Sequence, residues 1–421
     1  MESVSSGMKN INEKIVEINE AELKSHLDER IKTAIQETLN QLLDSEAESL
    51  CHAKKHERTE ERAGYRSGTY SRQYQTRVGT VSLNVPKLKG LRFQTEIVER
   101  YQRRETSVEE ALIEMYLAGV SVRRVEDITQ ALFGEKVSAS VVSELNKKLY
   151  VRLDEWLSRP IIGDYPYVYV DGTYLKKCWS GEVRNIAILV AIGVSADGHR
   201  EILGVQEGVT ESQESWTNFF RHLVSRGLKG VQLIVSDAHI GIRDSIPKFF
   251  GNALWQRCIV HWYRNALSLA PQNKRYEVAE MLKAIQSQES RLSSLSKTLD
   301  MAKKFRDMKL AKIAEFILSS VLETLTYFSF PASHRKRIRT NNGMERMMKE
   351  IKRRSKVVGA FPDGQSAVML AAARLRYVAR SNWSSRKYLN MDLLTGNDAH
   401  ALSEYTVEEE SIIKEIEKLA S

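Results

Sequence analysis

The chain has 421 residues, of which 42% are hydrophobic and 28% charged, and a formal net charge of +9. Its length exceeds the roughly 250 to 300 residues at which a single core stops growing, so more than one domain is expected, and its ordinary composition excludes a largely disordered chain. The three cysteines, Cys51, Cys178 and Cys258, are too few and too scattered for a disulfide framework, the opening MESVSSGMKNINEK lacks a signal-peptide pattern, and no run reaches the roughly 18 apolar residues that span a bilayer. A cytoplasmic chain with no membrane partner is therefore expected. The excess of Lys and Arg is concentrated in residues 53–104 and 334–356, whereas the C-terminal end is acidic. Such blocks suit a polyanionic partner through phosphate neutralisation.

In chain order, Ile15, Ile18, Leu23, Leu27, Ile31, Ile35, Leu39, Leu42 and Leu43 recur at helical spacing. They predict a helix over 12–50 whose apolar stripe packs on its own domain or pairs subunits. GYRSGTYSRQYQTRVGTVSLNVPKLKGLRF has Gly punctuation, interleaved Arg and Tyr, and alternation at Val78, Val81, Leu83 and Val85, which predicts a basic β-ribbon. A helix capped by Ser107 with Glu110, a second over 122–132 after Ser121, and a third after Ser138 follow the order of a helix-turn-helix module. Arg66, Arg72 and Arg77 of the ribbon, and Arg123, Arg124, Lys147 and Lys148 of the helices, are the candidate phosphate contacts there.

Next come three strands, YPYVYVDGTYLK, RNIAILVAIGV and HREILGVQEG, expected to be antiparallel. A helix over 214–227, the strand VQLIVSD, a helix over 240–250 and a strand ALWQRCIVH complete an α/β pattern with a mixed sheet. Residues 262–330 read as a helical insertion. A cationic helix starts near Asn341 or Asn342, SAVMLAAARLRYVAR forms an apolar helix, and Thr406 with Glu409 caps a last one. The expected domains are 1–60, a helical region suited to oligomerisation; 61–104, the ribbon; 105–160, the helix-turn-helix; 161–265, the first part of the catalytic core; 266–333, the helical insertion; 334–382, the second part of the core; and 383–421, a helical tail.

Asp171 interrupts an apolar strand and Asp237 closes a β-branched one, the places where an α/β sheet exposes functional groups. Either acid alone is read as readily as a turn or cap residue. With Glu345 in the cationic helix they form three carboxylates, enough to hold two Mg²⁺ ions, about 3.5 to 4 Å apart, against substrate phosphate oxygens. Glu350 is five residues further on, about 140° around the helix, so only one of the two glutamates faces the site. Arg346, Arg353 and Arg354 of the same helix would hold a phosphate backbone. Cys258 and His261 have Cys-x-x-His spacing, but a structural zinc needs four ligands and no second pair is suitably spaced. They are expected to support the site, Cys258 buried in a strand and His261 at the sheet edge. Cys51, His52 and His56 are read as a solvated face. No nucleophile elbow, phosphate-binding loop or dinucleotide fingerprint is present.

SDAHIGIRDSIPKFFGNALWQRCIVHWYRN, together with ERAGYRSGTYSRQYQTRVGTVSLNVPK, VDGTYLK, SWTNFFRHLVSRGL, NNGMERMMKEIKRRSKVVGAFP and YLNMDLL, resembles the Mutator-type transposases of bacterial insertion sequences, in the same order and over most of the chain. His239 and Met348 depart from the residues frequent there, Gly and Asn. The resemblance implies a ribonuclease H-like catalytic core interrupted by an all-helical insertion, with Asp171, Asp237 and Glu345 as the catalytic and metal-binding residues of a DDE transposase using two Mg²⁺ ions, Mn²⁺ substituting. It further implies partners: double-stranded DNA with terminal inverted repeats, target DNA, and a second copy in a homo-oligomer, a dimer being expected, at the bacterial nucleoid when bound. The alternative is a catalytically inactive DNA-binding regulator descended from such an enzyme.

Overall fold

A computed structural model of the chain describes residues 20–91, 93, 95, 105–117, 120, 122–133, 139–179, 181–380, 382–394 and 404–420. The chain divides into two compact units, one of residues 1–116 and 120–146 and the other of residues 117–119 and 147–421. Among the described residues no helix is long and apolar enough to cross a membrane.

The first unit begins with α1 (Glu20–Cys51), followed by the antiparallel ribbon β1 (Tyr65–Thr76) and β2 (Gly79–Lys89). Gly79, with φ of 114°, sits where the chain turns back, a backbone angle that side chains other than glycine rarely adopt. Tyr74, Val81, Leu83 and Val85 of the ribbon form a core with Leu43 of α1, and Leu39 packs against it. Side chains of α1 also serve the ribbon's edge: Gln36 Oε1 accepts from Ser82 N at 3.0 Å and Asn40 Oδ1 from Asn84 N at 2.8 Å. The helix thus blunts an edge that would otherwise expose free N–H groups. Part of the predicted stripe packs on its own unit, while Leu27, Ile31 and Leu42 stay exposed. Three helices follow, α2 (Thr106–Leu117), α3 (Val122–Phe133) and α4 (Ala139–Ser158), in the predicted order. The first starts one residue earlier than its expected cap, so Ser107 lies inside its first turn; the predicted caps Ser121 and Ser138 lie outside the described residues.

The second unit is built on a five-stranded mixed sheet, β3 (Tyr167–Trp179), β4 (Glu182–Val194), β5 (Arg200–Gly208), β6 (Leu233–Ser236) and β7 (Leu254–Arg257), in the order β5-β4-β3-β6-β7. The first three are antiparallel as predicted, and β6 and β7 run parallel to β3. Alternation sorts the side chains. Val168, Val170, Ala187, Leu189, Ala191 and Ile234 join Trp216, Phe219, Phe220 and Leu223 of α5 (Gln213–Ser225) in one continuous core, completed by Ile242 of α6 (Ile240–Arg243) and Ile246 of α7 (Ile246–Phe250). The single helix expected over 240–250 is two short ones, because Pro247 has no N–H to give and crowds the carbonyl one turn back.

After β7 the chain turns directly into α8 (Ile259–Ser268), with Cys258 as its N-cap residue. The predicted strand ALWQRCIVH therefore ends at Arg257. A short apolar run has no period that distinguishes a strand from the first turn of a helix. Helices α9 (Arg275–Gln286), α10 (Arg291–Asp307) and α11 (Ala311–Ser320) form the helical block predicted there, around Leu282, Leu295, Phe305, Ile313 and Ile317. Then come α12 (Ala332–Ile338), α13 (Asn342–Val358), α14 (Gly364–Ala379), α15 (Asn382–Ser385) and α16 (Val407–Ala420). The last has the predicted capping box: Thr406 Oγ1 accepts from Glu409 N at 3.2 Å, and Glu409 Oε2 from Thr406 N at 3.0 Å.

Candidate active site

The opposite face of the sheet carries the candidate acids. Tyr167 and Tyr169 point there, since the Tyr167 hydroxyl meets His334 Nδ1 at 2.8 Å and the Tyr169 hydroxyl donates to Arg337 O at 3.3 Å, both in α12. Asp171 is two residues further along the same strand, so it has the same facing. The parallel register pairs Tyr167 with Leu233 and Tyr169 with Val235. Continued by one more step, that register sets Asp171 level with Asp237, about 5 Å away across the strand spacing. Two acids far apart in sequence are thus brought near each other by the pairing of β3 with β6, and the charge of Asp237 acts on Asp171.

Asn341, wholly buried just before α13, ties the helix that carries the third acid to β3. Its Nδ2 donates to Val170 O at 3.2 Å, next to Asp171, and its backbone N donates to Cys258 Sγ at 3.2 Å. Ile259 N adds a bond to Arg339 O at 3.1 Å. The start of α13, the first half of β3 and the start of α8 are therefore tied together, with Glu345 in the first turn of α13. Glu345 Oε1 lies 2.9 Å from Arg264 and 3.5 Å from His261 Nε2, both on α8. Replacing Asn341 by Ala should cost about 1–3 kcal/mol, the usual penalty for orphaning buried groups. Denaturant unfolding of the variant checks this; an unchanged stability would mean that Asn341 is not the tie.

Charge is crowded at this point. Burial, followed by the neighbouring Asp237 charge, pushes the Asp171 carboxyl up to about 7; Gly172 N, bonded to its Oδ1 at 2.9 Å, works against this, and Glu211 adds to it. Burial and then Asp237 likewise push Glu211 up to about 7, with Lys352 opposing. Burial lowers His261, and the charges of Asp237 and Glu345 oppose that shift. Asp237 Oδ1 and His261 Nδ1 are buried with no hydrogen-bond partner among the described residues. As they stand, no three of the described His, Cys, Asp and Glu residues converge into a ready metal-binding group; Glu345 is drawn toward α8 by Arg264.

Of the supporting pair, Cys258 is buried, which raises its thiol, and it serves as the sulfur acceptor for Asn341, while His261 lies one turn into α8 rather than at a sheet edge. Glu350 is turned away, bonded to Arg353 at 3.1 Å and Arg374 at 2.9 Å, as expected from its rotation around the helix. Among the candidate DNA contacts, Arg346 and Arg353 are exposed and Arg354 is buried. Arg66 is held within its own unit by Asp44 and Glu48. Arg72 is partly buried, and Arg77 is exposed and 3.9 Å from Glu105. Arg124 and Lys148 are exposed; the side chains of Arg123 and Lys147 lie outside the described residues.

Sequence reasoning missed Glu211, Arg264 and Lys352. Each had a signal to offer. Glu211 is another acid between a strand and a capped helix, Arg264 follows His261 by three residues on one helix face, and Lys352 follows Glu345 by seven, two turns along the same face.

The family described as Transposase, Mutator family, matches residues 7–385. The chain is 37% identical to the transposase for insertion sequence element ISRM5 of Rhizobium meliloti (strain 1021), over 79% of this chain and 83% of that one. It is 36% identical to the transposase for insertion sequence element IS256 in transposon Tn4001 of Staphylococcus aureus, over 77% of this chain and 83% of that one. It is 35% identical to the transposase for insertion sequence element IS1081 of Mycobacterium tuberculosis, over 77% and 78%. With a family match across most of its length and relatives of this similarity, the chain belongs to the Mutator family of insertion-sequence transposases.

Proposed function

We propose that the chain cuts DNA at the terminal inverted repeats of an insertion sequence and joins the freed ends to target DNA. In this reading Asp171, Asp237 and Glu345, in a ribonuclease H-like core, hold two Mg²⁺ ions, with Mn²⁺ as a substitute. Bound there, the ions would supply activation of the attacking oxygen and stabilisation of the leaving one. The observation that carries the reading is the parallel register that pairs Tyr169 with Val235, each two residues before one of the acids, Asp171 and Asp237. The residues present fit a divalent cation: the carboxyl of Asp171 is raised to about 7, which a cation would relieve, and Asp237 Oδ1 is buried and unbonded.

The protein's own side chains have distinct tasks. Asn341 positions Glu345. Lys352, whose charge acts on Asp171, and Arg264, paired with Glu345, would receive phosphate oxygens, and a bound cation would compete with Arg264 for Glu345. His261, held neutral by burial, can hydrogen-bond without adding charge. Residues 61–104 and 105–160 are proposed to recognise the repeats, and residues 1–60 to join two copies. Mg²⁺-dependent cleavage and strand transfer on DNA carrying the element's ends test the enzyme reading; end binding without any cleavage would replace it with a regulator. Neutralising Arg123, Arg124, Lys147 or Lys148 should weaken end binding and reduce its salt slope by about 0.9 for each phosphate that the variant no longer neutralises. Unchanged binding in a salt titration would remove the helices from the DNA interface.

A further inference from the structure

A cavity of 330 Å³ beyond the end of β6 has no part in the site described so far. Its wall comes from separate segments: Ala238 and His239, directly after Asp237; Arg243 of α6; Arg257, the last residue of β7; Asn265 of α8; and Glu323, just past α11. Two routes lead from it to the acids. Ala238 adjoins Asp237 in the chain, and Asn265 stands one turn of α8 beyond His261, whose Nε2 is 3.5 Å from Glu345.

The chemistry of the wall is that of paired cations. Arg257 is 5% exposed and its Nη1 lies 2.9 Å from Glu323 Oε2, while Arg243 Nη1 lies 3.2 Å from Glu323 Oε1. One carboxylate thus serves two guanidiniums, and the wall carries an excess of positive charge. Arg243 Nε is also 3.6 Å from Asp244, which does not line the cavity. Arg257 Nε and His239 Nδ1 are both buried with no hydrogen-bond partner among the described residues. A guanidinium can donate five hydrogen bonds, and a buried polar atom left unpaired is costly. The aromatic side chains of the wall are engaged: Arg257 covers the Phe316 ring at 5.4 Å, and Trp255 Nε1 donates to Ser236 Oγ at 2.8 Å. What the cavity offers an occupant is chiefly donor groups.

We propose that this cavity receives one phosphate of the DNA strand that passes the acids, held by Arg243, Arg257 and His239. Guanidiniums match phosphate oxygens in geometry as well as charge, and Glu323 fixes both of them, which reduces the freedom they would lose on binding. A volume near the lower limit of small-molecule sites, ~300 Å³, suits one unit of a strand's backbone. The inference rests on the reading that the chain acts on DNA ends and deepens it by assigning a place to one phosphate near the cut.

The test is equilibrium binding, in chelator so that no cutting intervenes, of DNA carrying the element's ends with methylphosphonate linkages, which lack the charge, placed one at a time around the cut. In the natural protein one linkage should weaken binding roughly tenfold, the loss expected for a hydrogen bond to a charged group. Arg243→Gln should bind unmodified ends more weakly and no longer respond to that linkage, while responding to the others as the natural chain does. A structural effect alone would lower binding to every DNA alike. Should Arg243→Gln fail to fold, His239→Ala is the second variant, and the same loss of response is expected. Ends bound with no response to any single linkage, or a variant that keeps the natural response at all of them, overturn the subsite and leave the DNA reading intact. A loss on removing one base, and on neutralising no linkage, gives the cavity to a base and also overturns it. Failure of the natural chain to bind the ends overturns the DNA reading and the subsite with it.

Discussion

Replacing Asp171 or Asp237 by Asn, or Glu345 by Gln, should leave binding to the element's ends intact and reduce both cleavage and strand transfer about a thousandfold or more. Metal ions contribute several kcal/mol to stabilising the transition state, and each ~1.4 kcal/mol is a factor of ten in rate. The three substitutions keep side-chain volume, and the Asn341 and Ile259 bonds that tie the site together do not involve these carboxylates. A loss confined to chemistry is therefore expected, measured by end cleavage and by joining assays beside a mobility-shift assay. A variant that keeps natural cleavage would remove its residue from the set. Glu350→Gln is the internal control, since Glu350 faces Arg353 and Arg374 instead, and its cleavage should fall far less than that of Glu345→Gln.

The second large effect concerns stability without metal. Asp171 has an ordinary value of 3.8 and is raised to about 7 by burial and by Asp237; Glu211 moves from 4.5 to about 7 by burial and by Asp237. Between about pH 4 and pH 7 the folded chain then holds protons that the unfolded chain has released, so unfolding free energy falls as pH rises through that window. Above pH 7 both groups are ionised and the penalty is fully present, on the order of several kcal/mol. Thermal unfolding in chelator should show a lower midpoint at pH 8 than at pH 6, with Mg²⁺ or Mn²⁺ narrowing the gap. Asp171→Asn isolates the effect from other titrating groups: in chelator at pH 8 it should be more stable than the natural chain. A less stable Asp171→Asn would show that the acids do not repel one another in the folded protein.

Asp171, Asp237 and Glu345 are readable as candidates because each breaks a local pattern: an acid inside an apolar strand, an acid ending a β-branched strand, an acid in a cationic helix. The strands of the sheet are readable for the same reason, since a sheet buried on both faces leaves long apolar runs such as Ile186–Val194. Elements at the sheet's end are less so. The segment Gln256–His261 offers no period of its own, and its change from strand to helix at Cys258 follows from the bonds of Asn341 and Ile259, which reach it from residues about eighty positions away. The break at Pro247, by contrast, is legible in the residue itself.

The sequence by itself determined which stretches are strands and helices, where the basic blocks fall, and which acids stand out, because periodicity, capping and charge are properties of neighbouring residues. Helix geometry also showed that only one of Glu345 and Glu350 can face the site. Only the tertiary structure decided that β3 pairs with β6 two residues before Asp171 and Asp237, that Asn341 ties the start of α13 to β3, that Arg66 is held by α1, and that Glu211 lies over Gly172. Strand register and close approach depend on how distant segments pack, and no local pattern encodes the distance between residues that meet only across a sheet.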